Sequence, residues 1–286
     1  MPEPIRVEQV SAVYAQAVRD NLHLGETITA VDFGIPEAQA ETDTPPVDVP
    51  VDSETNGVAM TSRMIGGRKV VSLGHVTSSE DLQALSLLTE RLGRGLGRPL
   101  RILEVGSWVG ESAIALLSGA PKGSEVYCVD TWEGSPNDHT RSIAQAASAD
   151  NKPWNVFVTN CGDLIGESIK PIKGQSTDVA AQFATSQNID LIFIDAGHDY
   201  PDVLADLSAW YRHLSVDGFF CGHDYCPTFP GVEGALRVWL AERHADLDVV
   251  EISGQCVWMI ENAELTRRQS AASSHANTGG SGAVPA

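Results

Sequence analysis

The chain has 286 residues, 42% of them hydrophobic, enough for one good core with appendages. Its net charge of −19 and pI of about 4.6 deny it the positive field that a nucleic acid or an anionic membrane would need, so neither is expected as a partner. Five scattered cysteines (Cys128, Cys161, Cys221, Cys226 and Cys256) read as free thiols in a reducing compartment; Cys221 and Cys226 bracket His223 and Asp224, but at no standard zinc spacing.

Met1 to Val10 shows no basic start leading into an apolar run, and no stretch approaches the ~18 apolar residues of a spanning helix. The expectation is a cytoplasmic protein. Residues 5–24 carry helical spacing at Val7, Val10, Val13, Tyr14, Val18 and Leu22. Residues 36–57 are rich in Pro, Asp, Glu and Thr and read as a solvated linker. Residues 1–57 thus form an appendage, read either as a lid over a substrate or as a contact in a homo-oligomer. Residues 263–286 are small and polar and read as a disordered tail, which leaves 58–262 as the domain.

Within that domain strands and helices alternate. Thr77 to Glu80 reads as a capping box for a helix that buries Leu82, Leu85, Leu88 and Leu92. A strand is expected at 101–105, a helix at 111–118, a strand at 125–130, a third strand at 155–160 and a helix at 178–186. The apolar run 190–195 is another strand. Pro201 opens a helix that buries Val203, Leu204, Leu207, Trp210, Tyr211 and Leu214, with Gly218 as its C-terminal cap. A strand at 219–222, a helix at 232–243 and a closing pair at 248–252 and 257–260 complete the pattern. This is an α/β chain: a Rossmann-like, doubly wound, mostly parallel sheet with an antiparallel closing strand and helices on both faces. Such sheets bind ligands at the carboxyl ends of their strands. Glu104, Asp130, Asp195 and the pair His223–Asp224 all fall at such ends.

Two of these ends describe a cofactor. Glu104-Val-Gly106-Ser107-Trp108-Val-Gly110 follows a strand and opens a helix that starts near Ser112. Gly106 allows a tight turn and close approach of a ligand, and Gly110 lets the helix pack near the strand. The G-x-G-x-x-G spacing of a pyrophosphate loop is missing, and the acid before the glycines favours a cationic ligand. Asp130, at the end of the next strand and followed by Thr131 and Trp132, can take both hydroxyls of a ribose. Trp132 reads equally as a core residue. Together these features indicate a nucleoside cofactor, best matched by S-adenosylmethionine.

The stretches 101–110 (RILEVGSWVG) and 126–134 (VYCVDTWEG) resemble motifs of class I S-adenosylmethionine-dependent methyltransferases. With 191–200 (LIFIDAGHDY) and 217–225 (DGFFCGHDY), the chain is similar to the metal-dependent O-methyltransferases of macrolide-sugar and cephalosporin pathways, over residues 58–261. The resemblance implies a magnesium site on Asp195 and on two adjacent acids at the positions of His223 and Asp224. It also implies that His198 acts as general base and that Ser176 lies against the adenine. The chain departs from the pattern at His223, a poorer magnesium ligand than a carboxylate.

The chemistry fits. A hydroxyl is a poor nucleophile until its proton leaves; an imidazole can take that proton and a cation can ease its loss. The expected function is methyl transfer to a hydroxyl of a small molecule, a sugar or secondary metabolite. Two other readings stay open: a dehydrogenase on a similar fold, and a non-catalytic domain that binds the cofactor. His139 reads as a loop histidine, Trp108 as a wall of the cofactor pocket.

Overall fold

The computed structural model describes residues 58–262 except 75–76, 137–138, 148, 184–187, 244–246 and 253–255. The expected N-terminal helix, linker and tail lie outside these residues.

The described residues open with a hairpin, β1 (Met60–Ile65) and β2 (Arg68–Leu73), turned by Gly66 and Gly67. Then follow α1 (Ser79–Leu96), β3 (Arg101–Val105), α2 (Glu111–Gly119), β4 (Glu125–Asp130), α3 (His139–Ala146) and α4 (Pro153–Cys161). The second half contains β5 (Ile169–Lys173), α5 (Ser176–Gln182), β6 (Ile189–Ile194), α6 (Tyr200–Trp210), β7 (Leu214–Gly222), α7 (Pro230–Arg243), β8 (Leu247–Glu251) and β9 (Trp258–Asn262). The main sheet runs β5-β4-β3-β6-β7-β9-β8, parallel from β5 to β7, with β9 antiparallel to both its neighbours. The chain winds outward from β3 to β5 and returns to β6 beside β3. The gap between β3 and β6 is therefore the switch point, where a crevice opens at the carboxyl ends.

Strand alternation feeds two cores. Ile102, Leu191 and Phe193 pack on one face with α1 and α2, whereas Leu103, Ile192 and Ile194 pack on the other with α6 and α7. The doubly wound expectation is met, and four local expectations are corrected. Residues 155–160 form helix α4, not a strand. Its buried Val156, Phe157, Asn160 and Cys161 follow helical spacing, and Pro153 sits at its first turn. The third strand is β5, whose modest apolar content hid it. Gly218 lies inside β7 rather than capping a helix; a Cβ there would come within 2.8 Å of the Asp190 carbonyl oxygen. Finally, the cap of α1 is Ser78, one residue later than the expected box. Its hydroxyl accepts from the Asp81 amide at 3.0 Å. That shift places Asp81 in the first turn with its carboxylate turned inward.

Candidate active site

The crevice at the switch point is a cavity of about 330 Å³ lined from every strand end in the first half of the sheet and from the loops after β6 and β7. One side is made largely of backbone. Gly106 donates its amide to the Val129 carbonyl at 2.8 Å, and Asp195 donates its amide to the Val105 carbonyl at 2.8 Å. At φ +91°, a Cβ on Gly106 would lie 1.9 Å from the Asp195 carbonyl oxygen, so only glycine fits where the two loops cross. Asp130 holds the next turn. Its Oδ2 accepts the Trp108 amide at 2.7 Å and its Oδ1 the Trp132 amide at 2.6 Å. Both tryptophans have left-handed backbones, φ 43° and 56°, and this carboxylate clamp offsets the strain. Burial raises the Asp130 pKa, and the amides pull it back.

The hairpin, which the sequence reading left without structure, lies outside the cavity lining and braces the residues that form it. The Glu111 carboxylate accepts from Arg63 Nη2 at 2.6 Å and from the Ser72 hydroxyl at 2.6 Å. Asn160 bonds the backbone of Val71 and Val109, and the Trp108 indole donates to the Leu73 carbonyl at 3.1 Å. Thus β1 and β2 are fastened to the glycine loop.

The expected cofactor residues separate into two groups. Gly106, Ser107, Ser112, Asp130, Thr131, Ser176 and Asp195 line the cavity, as does Trp108. Glu104, Gly110 and Trp132 do not. Trp132 packs among Trp154 and Phe157, with its indole donating to the Trp108 carbonyl at 2.7 Å. Gly110 is a packing glycine whose Cβ would lie 2.8 Å from Cys161 Sγ. Glu104 alternates with Leu103 and Val105, so it points to the face that carries Ile102. It is fully buried, and among the described residues neither of its oxygens nor the Ser107 hydroxyl has a hydrogen bond. Burial pushes its pKa to about 7, against the pull of the nearby Ser107 and Ser112 hydroxyls. Ser176 donates its hydroxyl to Asp206 at 2.5 Å and accepts from the Trp210 indole at 2.8 Å. His139 is exposed at the rim.

The other side is built of ionisable side chains. His198 Nε2 lies 2.7 Å from Asp224 Oδ2. The Asp224 Oδ1 lies 3.1 Å from His223 Nδ1, and Asp195 Oδ1 lies 3.7 Å from the same nitrogen. The second ring nitrogen of His223 lies 3.2 Å from Asp81 Oδ2, a residue 142 positions away that the sequence reading missed. Asp224 itself has φ 63°. Its pKa is lowered: burial alone would raise it, but the hydrogen bonds from His198 and His223 prevail. Asp195 is raised to about 6, first by burial, with His223 and His198 holding it down and Asp224 adding to the rise. Asp195 does not cap α6; Asp199 occupies that position. Phe229, from the loop after β7, lies against His198 at a ring separation of 4.2 Å.

Do these residues suit the groups the resemblance implies? For an adenosyl cofactor they do. The crevice offers a close-approach glycine, a carboxylate at the ribose position and the buried Ser107 hydroxyl, which has no hydrogen bond among the described residues. For magnesium they do not. Asp195, His198 and Asp224 each offer one ligand atom, all within 4.8 Å of one another. However, magnesium prefers oxygen donors in a near-octahedral shell. Here one donor is an imidazole already bonded to Asp224, and His223 stands where a further carboxylate was expected, on the oxygens of both acids.

Comparison with known proteins agrees with the fold. Residues 103–225 match the family model described as a methyltransferase domain. The O-methyltransferase NovP is similar in structure, at 18% identity over 62% of this chain and 78% of that one, with a TM-score of 0.50. The Bacillus cereus O-methyltransferase in complex with SAH shares 18% identity over 65% of this chain and 82% of that one, with a TM-score of 0.47. The uncharacterized protein y4gI of Sinorhizobium fredii is 27% identical over 132 residues, 44% of this chain; the chain spans only 13% of that protein. Residues 103–225 are thus similar to a methyltransferase domain. No helix among the described residues is long and apolar enough to cross a membrane.

Proposed function

We propose that the protein transfers a methyl group from S-adenosylmethionine to a hydroxyl of a small molecule, with His198 as the general base. The observation that carries this reading is the 2.7 Å contact of His198 with Asp224 inside the crevice. The ionised Asp224 accepts from Nε2–H, which fixes the tautomer with its lone pair on Nδ1. That nitrogen takes the proton of an acceptor hydroxyl, and Asp224 stabilises the imidazolium that forms. Phe229 packs against the ring and holds its plane.

Gly106, Ser107, Asp130 and Thr131 are the residues we assign to the cofactor. When bound, it supplies an electrophilic methyl on a cationic sulfur. The excess of carboxylates along the far wall favours such a cation. A dehydrogenase is the weaker reading, because its hallmark glycine spacing is missing. The acceptor is read as a polar, hydroxylated molecule, since the wall facing the glycine loop carries Asp195, His198, His223 and Asp224 beside Phe229.

The test is incubation of the purified chain with S-adenosylmethionine and a panel of sugars and hydroxylated metabolites. S-adenosylhomocysteine release matched by a one-methyl mass gain on oxygen supports the reading. Transfer to nitrogen or carbon only, or cofactor binding with no acceptor anywhere in a broad panel, contradicts it.

A further inference from the structure

His223 is 9% exposed and lies on the cavity wall, and its backbone carbonyl accepts the Trp258 indole N–H at 2.9 Å. Its two ring nitrogens face carboxylates on opposite sides, Nε2 to Asp81 at 3.2 Å and Nδ1 to Asp224 at 3.1 Å, with Asp195 at 3.7 Å from Nδ1. An ionised carboxylate only accepts hydrogen bonds, so each nitrogen must carry a proton. The alternative, a protonated acid donating to a neutral ring, runs against ordinary basicity, since imidazole is the stronger base by about 2.5 pKa units. One other group near it can carry a positive charge, His198, but that ring meets a single carboxylate, Asp224, whereas His223 has one at each nitrogen. Asp81 comes from α1, Asp195 and His198 from the loop after β6, and Asp224 from the end of β7; the Cys226 and Cys256 thiols lie nearby.

From this arrangement we infer that His223 is the fixed cation of the site, an imidazolium clamped between Asp81 and Asp224, which takes the place of a divalent metal. A positive charge there stands beside Asp195 and Asp224, so a metal ion binding the same oxygens would meet a like charge within a few ångströms. The same imidazolium faces the crevice in which His198 withdraws a proton, and it offsets part of the negative charge that Asp195 and Asp224 place there. Asp81 is then a positioning residue: it touches neither acceptor nor cofactor and holds the second N–H of His223. The mechanistic meaning of this inference rests on the methyltransferase reading, but the state of the ring and the preference against metal do not.

Two measurements on the full chain test it, and neither requires cofactor or acceptor. In the first, long-range proton–nitrogen correlation spectra of histidine-labelled protein are recorded from pH 6 to pH 9. One ring is expected to keep both nitrogens protonated at pH 8, and Asp81→Asn is expected to make it titrate at lower pH. If no ring is doubly protonated at pH 8, the inference fails. In the second, manganese is titrated into chelator-stripped protein and free ion is followed by electron paramagnetic resonance. The wild type is expected to show no stoichiometric site at micromolar ion, and His223→Asp to gain at least tenfold in affinity. A stoichiometric micromolar site in the wild type overturns the inference, whether or not the variant folds. A chain that passes both tests yet methylates nothing would sink only the methyltransferase reading.

Discussion

The two ends of the parallel sheet treat buried carboxylates in opposite ways. At the amino end, Asp190 is fully buried and fully engaged: Arg98 grips both oxygens at 2.7 and 2.8 Å, and the Arg101 amide adds a third bond at 2.9 Å. At the carboxyl end, Glu104 is just as buried and has no hydrogen bond among the described residues, Asp195 is pushed up to about 6, and Asp224 stands on a left-handed backbone. One end has spent its polar groups on holding strands together. The other keeps them strained, crowded or unpaired, which costs stability and is the usual mark of a site that binds and reacts. The fold is common to both ends; the difference in satisfaction marks the carboxyl end as the candidate site.

The comparison can be broken at four places. Removing the proposed base with His198→Ala should lower kcat by roughly 10²–10⁴-fold while changing cofactor affinity little, checked by steady-state rates beside a binding isotherm. Second is Glu104. Its folded pKa of about 7 lies above its ordinary 4.5, so the folded chain binds the proton more tightly than the unfolded chain. Stability from this group is therefore lost as pH rises from about 4.5 through 7, and is flat beyond. Glu104→Gln should remove that loss and gain up to about 3 kcal/mol above pH 7, with the gap closing near pH 4.5; urea melts at pH 5 and pH 8 would show it. Third, at the quiet end, Arg98→Ala strands the Asp190 carboxylate and should cost about 2–3 kcal/mol in urea melts, on the low side for a broken pair because Arg98 is half exposed. Catalysis should survive at temperatures where the variant stays folded. The smallest effect is Ser78→Ala, which removes the cap of α1 and should cost about 1 kcal/mol. Because Asp81 sits in the same turn, this variant should also loosen the grip on His223.

How much of this could be read beforehand follows the same division. Features fixed by backbone need were legible: Gly106 where two loops cross, Asp130 at a strand end, the apolar run of β6. Each demands one residue type at one spacing. Features made by side chains that meet across the fold were legible only in part. Asp195, His198 and Asp224 announced themselves at strand ends, but Asp81 looked like any acid in a first turn, and nothing local says that it reaches His223. The run from Asn155 to Asn160 misled because Val, Phe and Thr suit a strand, while Pro153 and the spacing of the buried residues decided for a helix. Trp132 and Gly110 sit beside a cofactor motif in sequence, yet their contacts belong to the core.

The central claim is that the crevice between β3 and β6 holds an adenosyl cofactor. Calorimetric titration of S-adenosylmethionine into the purified chain, in buffer containing chelator, tests it most directly. The account predicts one site per chain with a Kd on the order of micromolar, lost in Asp130→Ala and unchanged when magnesium is restored. Absence of binding in both buffers, or binding that appears only with metal, would contradict it.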